Sequence, residues 1–175
     1  MTDEAVTINP EQGETAKSQE NQLQFLSFSL GREEYGVDIL RVQEIRSWEP
    51  VSRIPNVPSY EKGVVNLRGA IVPIIDLRER FQLGHSQYTA LTVVVVLQVR
   101  IEERTRIMGV VVDSVSDVIN IDRKNIQTAP DFGAKVSTQF ITGLAAVGGR
   151  MVMLLDVDKL LSLDGVSDEY DSSNK

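Results

Sequence analysis

The chain has 175 residues and no cysteine, so disulfides, thiolate metal sites and cysteine nucleophiles are excluded at the outset. Its single histidine, His85, is too little imidazole for a histidine-built metal site, and it limits general-base chemistry to that residue or a carboxylate. His85 lies in a polar GHSQY segment with no carboxylate pattern to orient it, so a surface histidine is expected. No stretch approaches the ~18 consecutive apolar residues of a membrane helix, and the N-terminus lacks a basic-then-apolar signal pattern. A cytoplasmic protein without direct membrane insertion is the expectation. The glycines never form a strand–glycine loop–helix unit, which leaves no phosphate cradle, and Asp113, Asp117 and Asp122 lack the spacing of a calcium loop. No catalytic residue, cofactor or metal is expected, and the chain does not read as an enzyme.

A concentrated positive charge is also missing. The formal net charge is −7, but it is carried by the ends: residues 1–22 hold five acids against Lys17, and residues 164–175 hold four against Lys175. Between them, residues 23–163 carry 16 acids and 16 bases and are neutral. Nucleic acid and anionic membrane both require a positive field that this body lacks. The ends are rich in Glu, Gln, Ser and Asp with few large apolar side chains, the composition of solvated disorder. Disordered tails are therefore expected at 1–21 and 164–175, flanking one folded unit at 22–163.

What the chain does have is a repeated hairpin. GVVNLRGAIVPIIDL (63–77) reads as a strand, a tight turn centred on Gly69 and a second strand closed by Asp76. Shifted by 80 residues, GLAAVGGRMVMLLDV (143–157) falls on it without a gap, placing Gly63 on Gly143, Gly69 on Gly149 and Asp76 on Asp156. At a shift of 73, Gly36 through Ile45 falls on Gly109 through Val118, with Val42 on Val115 and Glu44 on Asp117. Since repeat symmetry alone accounts for Asp76 and Asp156, each is read as a strand-ending cap or turn carboxylate rather than half of a catalytic dyad.

The remaining segments fit the same scheme. QLQFLSFSL (22–30) alternates with one shift of phase, a strand with one face in a core. Tyr35–Ile39 is a second strand, and Leu40–Ser47 suits a helical turn or a strand equally. Residues 48–62 contain Pro50, Pro55 and Pro58, which exclude a regular helix or central strand. This loop presents Trp48, Val51, Ile54, Val57 and Tyr60, and must lie across something apolar. LTVVVVLQV (91–99) is a continuous apolar run, the mark of a strand buried on both faces. A hairpin back through 107–112, a cap at Asp122, a long loop over 128–142 and a short closing helix at 158–163 complete the reading. A half of ~60–70 residues with about five short strands cannot leave its edges open, and closure into a small barrel is the economical solution. Two similar small barrels sharing a core are inferred, with a groove where they meet.

Two charged residues stand apart. Arg68 sits at the tip of an oily hairpin, and its repeat equivalent is Gly148, so the fold does not require a cation there. Glu44 lies between Gln43 and Ile45. Each reads either as an ordinary solvated charge, or one paired with the other at modest gain, or as a recognition spot that a rigid tip holds in place. The repeat comparison favours recognition.

EEYGVDILRVQEI (33–45), KGVVNLRGAIVPIIDL (62–77), GVVVDSVSDVINI (109–121) and STQFITGLAAVGGRMVMLLDVDKLL (137–161) closely resemble the CheW family of bacterial chemotaxis adaptors. The resemblance covers residues 22–163 without a large insertion. It implies a mostly β fold of two intertwined, five-stranded, SH3-like β-barrels around a hydrophobic core, with short helices. It further implies a non-catalytic scaffold that couples methyl-accepting chemoreceptors to the histidine kinase CheA, through that kinase's regulatory domain, in arrays at the membrane. An alternative within the same family is an array-spacing module that binds the kinase without a receptor link. Carried over residue by residue, Glu44 and Arg68 match a charged pair needed for assembly. Ile39, Val42, Val115 and Val118 match positions lining the groove that receives the cytoplasmic tip of the receptor.

Overall fold

The phase shift in the first apolar segment marks a strand with apolar side chains on both faces. In a computed structural model, which describes residues 21–84, 87–128 and 138–162, Gln22–Leu30 forms strand β1, and its pairing register slips between Ser27 and Phe28. Ordinary alternation sends Phe25 to one apolar cluster, and Leu26, Phe28 and Leu30, on the opposite face, to another. Apart from Asn21, the expected tails lie outside the described residues, as do His85 and residues 129–137 of the expected 128–142 loop.

Along the chain β1 is followed by β2 (Glu33–Asp38), a 3-10 turn (Ile39–Arg41) and β3 (Val42–Ser47). The ambiguity over 40–47 thus resolves as a helical turn followed by a strand. After the proline-bearing loop come β4 (Glu61–Leu67), β5 (Ala70–Asp76) and a one-turn helix α1 (Leu77–Arg80). The second half repeats this series as β6 (Val93–Ile101), β7 (Arg104–Val112), β8 (Ser114–Asp122), β9 (Ile141–Val147), β10 (Arg150–Leu155) and α2 (Val157–Ser162). The repeated aspartates do local work: Asp76 Oδ1 accepts from the backbone N–H groups of Arg78 and Glu79 at 3.0 and 3.3 Å, and Asp156 Oδ1 from that of Lys159 at 3.1 Å. Each satisfies N–H groups that a helix start leaves unpaired. Asp122 does the same for a 3-10 turn at Arg123–Asn125.

The ten strands make two five-stranded sheets, ordered β8-β1-β2-β10-β9 and β3-β6-β7-β5-β4. Advancing each strand of the first by five positions, cyclically, gives the second, so the duplication is a symmetry of the topology. Neither sheet belongs to one half. The β1–β2 hairpin joins β8, β9 and β10, while β6–β7 joins β3, β4 and β5, which is how the two units intertwine. Strands from different halves lie side by side at β1–β8 and β3–β6, which are antiparallel, and at β2–β10 and β5–β7, the two parallel pairs.

Burial follows the exchange. One cluster lies between the sheets and takes Phe28, Leu30, Tyr35 and Val37 from one, with Val95, Leu97, Val99 and Val110 from the other. Each sheet also encloses a smaller cluster, one built on Phe25, Ile119 and Leu154, the other on Ile74, Val94 and Val96. β6 serves two clusters at once, with Val94 and Val96 on one face and Val95, Leu97 and Val99 on the other, as its unbroken apolar run requires. Arg80 seals the junction of the halves, its guanidinium 5.0 Å from the ring centroids of both Tyr60 and Phe140.

Candidate partner-binding site

Arg68 and Gly69 form the two-residue turn between β4 and β5, and both have positive φ, 51° and 86°. This is the turn whose twist matches paired strands, and it requires φ > 0 at both central positions. The equivalent turn between β9 and β10 uses Gly148 and Gly149, with φ of 57° and 77°. An arginine in the left-handed region costs roughly 1–2 kcal/mol that a glycine does not. Asn66 steadies the tip, its Oδ1 accepting from the Gly69 N–H at 2.9 Å.

The Arg68 guanidinium projects from this tip 87% exposed and donates to Glu44 Oε2 at 2.9 Å. Glu44 is on β3, whereas Arg68 adjoins β4, and these are the two edge strands of one sheet. The sheet therefore curls until its edges meet. A backbone bridge between Ser52, just past β3, and Val64 of β4 marks the same approach, with N–H···O contacts of 3.1 and 2.9 Å. Arg46 stands on the other side of Glu44, at 3.9 Å from Oε1. An ion pair with one partner this exposed contributes about 0–1 kcal/mol, so stability does not explain it.

Three of the four apolar candidates fall at the two crossovers between sheets, and Val118 lies further along β8. Ile39 lies in the 3-10 turn after β2 and Val42 opens β3; both are half-buried against the shared core. Val115, opposite Phe28 on β8, packs on the same core. Val118, opposite Leu26, is 43% exposed and stands outside that cluster. The structure thus joins Glu44 to Arg68 by direct contact, and sets Ile39, Val42 and Val115 around one core. Val118 is left as an exposed apolar residue on an edge strand. Leu40, which sequence reasoning did not single out, is the most exposed large apolar side chain among the described residues, at 81%. Its signal was its place between two matched positions, Ile39 and Val42.

Beside the ion pair, a cavity of about 120 Å³ opens between the proline-bearing loop and the sheet, lined by Arg46, Val51, Val65, Asn66, Leu67 and Val94 among others. The apolar surface expected beneath that loop is therefore the β4–β6 face of the sheet. Trp48 stacks on Tyr88 with ring centroids 4.3 Å apart. The Tyr88 hydroxyl donates to Asp76 Oδ2 at 3.0 Å. Burial, and then the Asp76 charge and hydrogen bond, push the Tyr88 hydroxyl well above the ordinary tyrosine value of 10.0. Among the described residues no group of three or more His, Asp or Glu side chains is placed to hold a metal ion, and no helix is long and apolar enough to cross a membrane. What the surface offers is an exposed guanidinium on a fixed tip, paired with Glu44 of the opposite edge strand, and, elsewhere on the described surface, exposed apolar side chains at Leu40 and Val118.

Comparison with known proteins returns one family. The model of the CheW-like domain matches residues 24–164. A chemotaxis protein CheW of Klebsiella aerogenes is 48% identical over 156 residues, covering 89% of either chain. That of Rhizobium meliloti is 36% identical over 137 residues, 78% of this chain and 86% of its own. The crystal structure of the scaffolding protein TtCheW from Thermoanaerobacter tengcongensis superposes with a TM-score of 0.73 at 30% identity, over 82% of this chain and 90% of that one.

Proposed function

The chain belongs to the CheW-like family, and from that premise we propose that it is a non-catalytic adaptor coupling chemoreceptor tips to the regulatory domain of the histidine kinase CheA. In this reading residues 22–163 are the adaptor module, and it works in the cytoplasm, recruited to receptor arrays at the membrane. Arg68 and Glu44 form the charged contact of assembly. Ile39, Val42, Val115 and Val118 form the apolar strip that takes the receptor tip. An amphipathic helix laid against such a strip is a recurrent recognition mode.

The observation that supports this most is Arg68 itself. It occupies a strained turn position that the repeat fills with glycine, is almost fully exposed, and gains too little from Glu44 to account for its presence. A cation held where the fold does not need it is suited to meeting something outside the fold.

Titration calorimetry against two ligands separately, the kinase regulatory domain and a soluble receptor-tip fragment, tests the proposal. Saturable binding to both is expected. Binding to the kinase alone would replace the adaptor with an array spacer, and binding to neither by a folded sample would overturn both.

A further inference from the structure

Two ion pairs join the sheets at places related by the duplication, and their polarities are opposite. At the first, Arg41 of the 3-10 turn between β2 and β3 grips Asp158 of α2 with both terminal nitrogens, at 3.0 and 2.8 Å. Asp158 also accepts from the Arg100 N–H of β6 at 2.8 Å. At the second, Arg78 of α1 donates to Asp113 Oδ2 at 2.9 Å, and that oxygen accepts from the Gly31 N–H at 2.7 Å. Arg78 and Asp158 are repeat equivalents at the shift of 80. Asp113 lies in the β7–β8 crossover, one residue from the equivalent of Arg41. A cationic crossover meets an anionic helix at one junction, and an anionic crossover meets a cationic helix at the other. All four side chains are about one-third exposed, between 28% and 34%, so water screens them only in part.

The polarity matters because the same strands admit a second arrangement. If each half closed on itself, the sheets would read β3-β1-β2-β5-β4 and β8-β6-β7-β10-β9. In the protein, the crossover after β2 meets the helix that follows β10, the parallel neighbour of β2. In the unexchanged arrangement that neighbour would be β5, and the helix would be α1. Arg41 would then face Arg78, and Asp113 would face Asp158. We propose that the reversed polarity of the Arg41–Asp158 and Arg78–Asp113 junctions specifies the exchanged, intertwined pairing of the duplicated halves, by making the unexchanged pairing repel at both junctions.

The chain has no cysteine, so one introduced pair reports the topology. Gln24 of β1 and Asn120 of β8 are register partners and both exposed; Gln24→Cys with Asn120→Cys cross-links only when β1 pairs with β8. The reporter is refolded from denaturant in three backgrounds, and the uncross-linked fraction of monomer is read after oxidation. Swapping one junction (Arg41→Asp with Asp158→Arg) keeps the native pairs but makes the unexchanged pairs attractive too. The uncross-linked fraction is expected to rise about tenfold, the sum of a few modest charge terms. Swapping both junctions (adding Arg78→Asp and Asp113→Arg) restores the repulsion. The fraction should return to within about twofold of the unswapped reporter, although the chain has lost both backbone acceptors and melts lower. Equal fractions in all three backgrounds, or fractions that follow melting temperature and are worst in the double-junction swap, would overturn the proposal. Should a reversed pair leave no folded monomer, Arg41→Gln with Asp158→Asn removes the repulsion at both unexchanged junctions together with one native ion pair, and an unchanged fraction there would equally overturn the proposal.

Discussion

Arg68 is held at φ 51° where its repeat counterpart is Gly148, which separates the demands of the turn from those of the surface. Arg68→Gly should therefore keep the turn and leave thermal stability unchanged or raised by up to about 1 kcal/mol, while association with receptor or kinase falls. Arg68→Glu places like charges beside Glu44 and should weaken assembly further, with an unaltered circular dichroism spectrum. A folded variant of either kind with full binding would remove Arg68 from the contact. Tyr88 supports a pH prediction. Its hydroxyl is raised by burial and by Asp76, so the stability it contributes is complete below the ordinary tyrosine value of 10.0 and is lost as pH climbs above it. Tyr88→Phe should flatten the fall in stability on the alkaline side, measured by denaturant titration from pH 9 to about 11. The buried Tyr35, shifted in the same direction by burial and then by Glu33, supplies part of the slope that remains.

Among the elements, the glycines of the repeated hairpin differ in what they tolerate. A Cβ on Gly63 would lie 2.0 Å from the Ser52 carbonyl oxygen, where the loop bridges to β4. One on Gly69 would meet nothing within 4 Å. Gly63→Ala should thus cost more than about 3 kcal/mol, by breaking both bonds of the bridge, and Gly69→Ala only about 1 kcal/mol from its left-handed backbone. Denaturant unfolding of the two variants separates these outcomes. Both glycines were legible in the repeat, yet only the coordinates give their different reasons. The strands and the two-faced burial of β1 and β6 could also be read from apolar patterning, because each reports a local periodicity. The link from Arg41 to Asp158 could not, since no pattern connects residues 117 positions apart. One clue lay within reach: Arg78 and Asp158 follow immediately on the aligned hairpins and carry opposite charge.

For the whole molecule, the consequence of the exchange is that the two crossovers lie over one shared core, with Ile39, Val42 and Val115 packed on it. The resemblance between halves suggested two units and a groove; the division of each sheet between the halves follows from strand order, which periodicity alone does not reveal. Val115→Asp puts a charge against this core. It should abolish binding of a receptor-tip fragment and lower stability by about 1–3 kcal/mol, while Val118→Asp, on the exposed edge, should reduce binding with little loss of stability. Normal binding by a folded Val118→Asp chain would take that residue out of the strip. In the proposed function one small module holds two partners at once, a bridging that co-sedimentation detects. Receptor-tip fragments displayed on vesicles are mixed with the kinase regulatory domain, with and without this protein. The kinase domain is expected to sediment with the vesicles only when the protein is present, and Arg68→Glu to reduce the bridging. Kinase sedimenting equally in its absence, or this protein excluding one partner whenever the other is bound, would contradict it.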